Sequence, residues 1–274
     1  MNKRVLLIAV NYNSTKETLD FLKSITHLNK FEEIQVVIIE NSNQLNREVD
    51  FKNKCSEILK DIIVVETPSN CNYFGSVNYG LQHLGIAPIN YDFFIISNVD
   101  VLIEDVSFLN KLYSLELRNI GIVAPTVFST AQGVDQNPYL LNRFNKVLFY
   151  YYWIIRQNVL FTKVHEKLTD FIRDKKNKKI TLFNKARSIY APHGAFIIFT
   201  KLYFESSGSI DFGLNLFGEE LFVAEECKKN NLQVYYEPAL CILHIEHVST
   251  AAVSSKYVVD KKRQSVVYFL KNYR

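Results

Sequence analysis

Short unbroken apolar runs alternate with longer stretches of helical period over the first 125 residues. Val5-Leu6-Leu7-Ile8-Ala9-Val10 is such a run, as expected of a strand buried on both faces. Asn13-Ser14-Thr15 then supplies a helix start, and Leu19, Phe21, Leu22 and Ile25 fall on one helical face. Residues 34–39 predict a second strand, 58–65 a helix end and a third strand, and 74–84 a helix. Residues 93–96 predict a fourth strand, 108–117 a helix and 121–124 a fifth strand. Strands separated by helices indicate βαβ units, hence an α/β fold with a mainly parallel sheet and helices on both faces.

Beyond residue 125 the pattern changes. Residues 189–199 look strand-like but contain Pro192 and Gly194. Residues 216–229 look helical, 233–236 strand-like, 240–245 apolar, and 258–273 suit an amphipathic terminal helix. No internal repeat is visible. The expectation is one domain over residues 1–274: a ligand-binding half at 1–125, an insertion at 139–187, a second half at 188–250 and a C-terminal helix at 251–274.

Composition narrows the class. The chain has 274 residues, of which 14% are aromatic and 22% charged, enough apolar surface to offset chain entropy. No run approaches the roughly 18 to 20 apolar residues of a membrane-spanning helix. The N-terminal apolar run is too short for a secretory signal and lacks a small-residue cleavage site. Four cysteines (Cys55, Cys71, Cys227, Cys241) without CxxC spacing read as reduced thiols, so a cytoplasmic protein is expected.

The net charge of +4 hides an asymmetry. Residues 139–187 hold twelve Lys/Arg against three acids, a net +9, which leaves −5 on the remainder. The same stretch holds ten aromatics, including Phe149-Tyr150-Tyr151-Tyr152-Trp153. Two readings are open: a surface for a membrane interface, where rings sit among headgroups and cations meet anionic lipids, or a helical hairpin packed on the domain or on a second subunit of a homodimer. Nucleic acid is not expected, because the acidic remainder would oppose it.

In open α/β sheets ligands bind beyond the carboxyl ends of the strands. Four consecutive strand ends carry Asn, Asp or Glu: Asn11-Tyr12-Asn13, Glu40-Asn41-Ser42-Asn43, Asn70-Cys71-Asn72 and Asn98-Val99-Asp100. Any one is an ordinary loop or cap; together they would line one crevice. No GxGxxG follows strand one and no GxxxxGK[ST] occurs, so neither a dinucleotide site nor a P-loop is indicated. In an extended segment Asn98 and Asp100 point to the same side. One carboxylate and one amide suit Mg²⁺ or Mn²⁺ that takes its other ligands from phosphates and water; a turn-capping pair is the plainer reading. Glu219-Glu220, opening a helix, read either as first-turn acids favoured by the dipole or as a general base. His244 and His247 form an HxxH that is not the HExxH zinc motif.

Taken in order, these segments resemble glycosyltransferase family 2, specifically its rhamnosyltransferase-like branch in bacterial surface-polysaccharide assembly. The opening strand ends Val10-Asn11-Tyr12-Asn13. The family's V-D-N-x-S falls on Ile39-Glu40-Asn41-Ser42-Asn43, with Glu for Asp. Its N-x-G-F-x-G-x-x-N-x-G falls on residues 70–80, with Asn72 for a glycine, which Asn's access to left-handed conformations allows. The N-x-D metal motif falls on Asn98-Val99-Asp100, and a small-residue strand on His193-Gly194-Ala195-Phe196. The G-x-x-D and E-D stretch falls on Gly208-Ser209-Ile210-Asp211 through Glu219-Glu220. The closing P…H…S pattern falls on Pro238, His244 and Ser249.

The resemblance implies a GT-A fold, Rossmann-like, and inverting transfer from a nucleotide sugar such as dTDP-rhamnose or a UDP-hexose to a hydroxyl of a glycan or lipid-linked glycan. It implies Glu220 as the base, with Glu219 the alternative. Asp100 and His244 would hold Mg²⁺ or Mn²⁺. Asn11, Asn13, Glu40, Asn70, Asn72, Asn78 and Asn98 would hold the nucleotide sugar, and His193 and Asp211 would face the acceptor. It places the protein at the inner face of the membrane. The rival readings are a sugar nucleotidyltransferase, which usually carries a Gly-rich basic loop where this chain has Asn11-Tyr12-Asn13, and a catalytically silent glycan-binding or assembly subunit.

Overall fold

A computed structural model describes residues 4–176, 185–214, 217–246 and 255–273, with side chains at all of these except 170–176 and 255. The apolar runs form β1 (Val5–Asn11), β2 (Ile34–Glu40), β3 (Ile63–Glu66) and β4 (Phe93–Asn98). They pair in parallel, with Val5 opposite both Ile34 and Phe93, in the order β3-β2-β1-β4. Between and after them run α1 (Thr15–Thr26), α2 (Phe51–Ile58), α3 (Tyr73–Leu84), the two-residue strand β5 (Val101–Leu102) and α4 (Phe108–Tyr113). The run of aliphatic residues in β1 is almost wholly excluded from solvent, because helices cover the sheet on both faces. Phe21, Leu22, Ile25, Phe51 and Phe108 pack on one face; Phe74, Val77, Phe149, Phe222 and Phe269 pack on the other.

The second half widens this sheet: β6 (Ile120–Ser129), β7 (Val134–Asp135), β8 (Arg187–Ile189), β9 (Phe196–Thr200) and β10 (Gln233–His244). The helices are α5 (Lys146–Ile155), α6 (Val159–Lys176), α7 (Lys201–Glu205), α8 (Glu219–Lys229) and α9 (Ser255–Asn272). The strand order is β3-β2-β1-β4-β9-β6-β10-β5, with β7 on β6 and β8 on β10. The sheet is mixed, because β9 lies antiparallel between β4 and β6.

Three local expectations change. The strand-like stretch 189–199 is two strands, since Pro192 offers no amide hydrogen and the chain turns at 190–195. The segments at 233–236 and 240–245 are one strand, β10, whose register on β6 slips between Glu237 and Cys241, where Pro238 interrupts the ladder. The helix expected from residue 216 begins at Glu219; 215–216 lie outside the described residues.

This topology sets the site. The parallel strands end on one edge at Asn11, Glu40, Glu66 and Asn98, and antiparallel β9 begins there at Phe196. Strands β6 and β10 end at the same edge, which brings His193, Gly194 and His244 beside Asp100. The four cysteines are free thiols. No helix among the described residues is long and apolar enough to cross a membrane.

Candidate active site

On one side of the edge, side-chain amides lock the loops after β1, β2 and β3 together. Asn11 Nδ2 donates to Glu40 Oε2 (2.5 Å), while Glu40 Oε1 accepts from the Ser42 amide (2.8 Å). Asn11 Oδ1 accepts from the Ser14 amide (3.0 Å) and from Thr18 Oγ1 (3.2 Å). Asn11 and Glu40 are buried, and their polar atoms serve these loops. Asn13 is left-handed (φ 55°) and its amide donates to Ser42 Oγ (2.8 Å).

The hub is Asn41, whose role nothing in the local sequence marks. Its Nδ2 donates to Asn70 Oδ1 (3.1 Å) and to the Asn72 carbonyl (3.2 Å). Its Oδ1 accepts from Thr67 Oγ1 (3.0 Å) and the Cys71 amide (2.9 Å). Arg47 closes the same side, donating to the Ser42 and Thr67 carbonyls and pairing with Glu66.

Asn72 departs from the expected left-handed conformation. At φ 61° and ψ −166° it occupies a region that favours glycine, held there by Asn41 and by its amide hydrogen bond to Asn70 Oδ1 (2.8 Å). Gly80, the last position of that motif, lets α3 approach β2, because a Cβ there would meet Ile39 Cδ1 at 2.3 Å. Asn78 lies farther along α3 and donates to the Ile210 carbonyl (3.1 Å), tying α3 to the segment before α8. Asp211 is exposed on that segment, its amide bonded to Ser209 Oγ (2.9 Å). No hydrogen bond or ion pair among the described residues joins Asn78 or Asp211 to the acids and histidines described next.

At the centre stand Asp100 and His244. Strand β4 ends at Asn98 and the chain bends through Val99 and Asp100, so the expected alternation stops short of Asp100. The Asn98 amide donates to the Ala195 carbonyl (2.9 Å), which anchors the bend to β9. Asp100 Oδ1 is shielded from solvent and has no hydrogen-bond partner, and it lies 3.5 Å from His244 Nε2. His244 Nδ1 is 2.7 Å from Gln136 Oε1. An amide oxygen only accepts, so the ring proton sits on Nδ1 and the Nε2 lone pair faces Asp100. Gln136 Nε2 is in turn held by Glu246, which also accepts from Gln132. Among the described residues no three His, Cys, Asp or Glu side chains cluster as a metal site. His247 and Ser249 lie outside the described residues.

His193 stacks edge-on to His244, with ring centres 5.7 Å apart. Its amide donates to Asn137 Oδ1 (2.7 Å), and its Nδ1 accepts from the Ala195 amide (3.2 Å). Burial lowers its pKa to about 4, and because Nδ1 accepts from the Ala195 amide the neutral ring carries its proton on Nε2.

Glu219 and Glu220 open α8 after a turn in which Phe217 (φ 66°) and Gly218 (φ 120°) both have positive φ. A Cβ on Gly218 would meet Ser265 Oγ at 2.6 Å, so α9 requires glycine there. The two carboxylates differ. Burial raises the pKa of Glu219, opposed by backbone amides of Glu219, Gly218 and Phe217, on which its carboxylate is turned back. Glu220 lies against Gly194, where a Cβ would stand 2.6 Å from its Oε1. Burial, then the charge of Glu219, raises Glu220 to about 7. The Tyr73 hydroxyl donates to the Gly194 carbonyl (3.1 Å), and its pKa is raised first by burial and then by the charges of Glu219, Asp100 and Glu220. Tyr73 thus spans the space between Asp100, with its neighbour His244, and the glutamates. Tyr139 closes the far side, its ring 6.3 Å from His193 and its pKa raised first by Glu220.

Tyr73, Gln136, Asn137 and Tyr139 were not assigned from sequence. Asn137-Pro138 is a turn signal, but nothing local shows that it folds back onto the strand edge.

Replacing Gly194 by Ala is expected to displace the Glu220 carboxylate, the flexible end of a side chain, with little effect on the backbone. Activity should fall about a hundredfold, as misplacement by about an ångström does elsewhere, with melting nearly unchanged. Kinetics and calorimetry of that variant check this.

The sequence matches no family model and no curated protein. Solved structures do match. A mannosyltransferase from Pyrobaculum calidifontis, in complex with GDP-Man and Mn²⁺, aligns over 100% of this chain and 71% of its own, with TM-score 0.56 and 13% identity. GalNAc-T7, crystallised with UDP, GalNAc and Mn²⁺, aligns over 96% of this chain with TM-score 0.60 and 12% identity. This chain spans 48% of the GalNAc-T7 structure. The fold is therefore of the GT-A type, an α/β sheet flanked by helices.

Proposed function

We propose that this chain is a metal-dependent inverting glycosyltransferase of the family-2 type, which moves a hexose or deoxyhexose from a nucleoside diphosphate to a hydroxyl of a growing bacterial surface glycan. The observation that carries the reading is the meeting of Asp100, His244 and Glu220 at one strand edge. The two solved structures of the same fold, with nucleotides or a nucleotide sugar and Mn²⁺, support it.

The residues fit a divalent ion. Asp100 Oδ1 is shielded and unpartnered, the His244 Nε2 lone pair faces it, and Gln136 fixes the tautomer. Two protein donors suit Mn²⁺ or Mg²⁺ when a diphosphate and water complete the shell. Such an ion, when bound, stabilises the charge of the departing diphosphate. Glu219, turned back on backbone amides, shapes the start of α8. Glu220 accepts the proton of the acceptor hydroxyl, and its raised pKa suits a base near neutral pH. His193 offers an Nε2–H to the acceptor side.

Glu40, Asn11 and Asn41 act through the loops they hold, and Asn13, Asn70, Asn72 and Asn98 are the groups left to the nucleotide sugar. Asn78 positions the segment that leads into α8, and Asp211, exposed on that segment, faces the acceptor in this reading. The donor is dTDP-rhamnose or a UDP-hexose in this reading. Incubating the chain with these donors and GDP-mannose, with and without Mn²⁺ and glycan acceptors, tests it. At least one donor is expected to release its nucleoside diphosphate only with the ion; no release from any of them counts against the reading.

A further inference from the structure

Helices α5 and α6 form the hairpin within the basic aromatic insertion, and the inner side of this hairpin is accounted for. Phe149 is buried, with its ring centre 5.9 Å from that of Phe269, and Lys262 of α9 pairs with Glu166 (2.6 Å) and accepts from Arg156 at its carbonyl (3.2 Å). The outer side is apolar and exposed. Val147, Tyr150, Tyr151 and Ile154 recur at the spacing of one helical face of α5, and Leu160, Phe161, Val164 and Leu168 do so on α6. Val147 is 75% exposed, Leu160 66% and Phe161 61%, although such stripes normally face a core.

Charge decides what covers this face. Lys146, Lys163 and Lys167 are exposed beside the stripes, and the one acid at 146–169, Glu166, is engaged by Lys262. A second copy meeting the face about a two-fold axis would bring the same lysine-bearing patch against itself. An anionic bilayer instead takes the apolar side chains into its acyl boundary and the lysines among its phosphates. We infer that the outer face of α5 and α6 docks the protein on an anionic lipid bilayer, lying in its plane.

Docking does not depend on the transfer reading, since it requires neither donor nor metal. It would nonetheless set the site against lipid: a cavity of about 280 Å³ under the hairpin is lined by Tyr139, Arg156 and Leu221, next to Glu220.

The chain contains a single tryptophan, Trp153, 40% exposed on α5 beside this face, so its emission reports on the surroundings of that helix. Full-length protein is mixed with vesicles of phosphatidylglycerol or of phosphatidylcholine. With phosphatidylglycerol, Trp153 emission should shift to the blue, be quenched by brominated acyl chains, and the protein should float with the vesicles. Replacing Lys146, Lys163 and Lys167 by Gln should weaken that binding about a hundredfold. The Ile154→Ser/Phe161→Ser pair, both exposed, should weaken it at least about tenfold. Unchanged emission and no flotation with either vesicle would overturn the inference, and this arm needs no variant. So would equal flotation of wild type and a folded Ile154→Ser/Phe161→Ser protein. A blue shift that follows protein concentration without vesicles, with dimers in sedimentation, would assign the face to a second copy instead.

Discussion

Replacing Glu220 with Gln is expected to lower the transfer rate by about two to four orders of magnitude while leaving donor affinity nearly intact, as removal of a general base does. Gln has nearly the same volume and keeps the contact with Gly194, so the substitution removes the basic oxygen and little else. Three titratable groups face Glu220: Glu219 beside it on α8, Tyr139 from the strand-edge loop, and Tyr73 from the start of α3. Burial and the neighbouring Glu219 hold its proton up to about pH 7. The wild-type rate should therefore rise with pH through about 7 and level off above it, and the Gln variant should lack that limb. Stability runs the opposite way. Below about 7 the folded state binds a proton that the unfolded chain, with its ordinary carboxylate pKa, has already released, so stability falls as pH rises across that interval. Above it the Gln variant should melt at a higher temperature than wild type. A variant that is slower and more stable at alkaline pH is what a buried functional carboxylate predicts.

Asp100→Ala is the second large effect. It removes the shielded carboxylate that faces His244 and leaves the imidazole held by Gln136. Loss of several kcal/mol of charge stabilisation at the leaving group corresponds to about a thousandfold or more in rate. The fold should survive, because Asp100 Oδ1 forms no hydrogen bond that the variant would lose and the Asp100 carbonyl keeps its bond from the Ile245 amide (2.9 Å). Initial rates across a Mn²⁺ titration, with circular dichroism as the control, read this. Retained activity in excess chelator would remove the metal from the account.

The polar strand ends of the first half are legible in the sequence for a physical reason. Strands β1, β2 and β4 are covered on both faces, so they appear as apolar runs, broken only by Gln35 and Ser97, and their polar termini stand out at Asn11, Glu40 and Asn98. The second half was less legible. Strand direction leaves no mark on residues 196–200, which are apolar whether β9 runs parallel or antiparallel. Pro238 interrupts the apolar pattern of β10 without ending the strand. The roles of Gln136, Asn137 and Tyr139 arise only when their loop folds onto His193 and His244, a contact made across more than a hundred residues in the case of Gln136. Asn78 shows the converse: it fits a family pattern, yet its amide serves the Ile210 carbonyl rather than the strand edge.

If Asp100 and His244 hold a divalent ion, nucleotide binding depends on that ion. Calorimetric titration of UDP, GDP and dTDP into the wild-type chain, with Mn²⁺ and with chelator, tests it most directly. At least one of these nucleotides is expected to bind with Mn²⁺, chelator to abolish this binding, and Asp100→Ala to remove it while the protein stays folded. Equal binding in chelator, or no binding of any of the three with Mn²⁺ present, would contradict it.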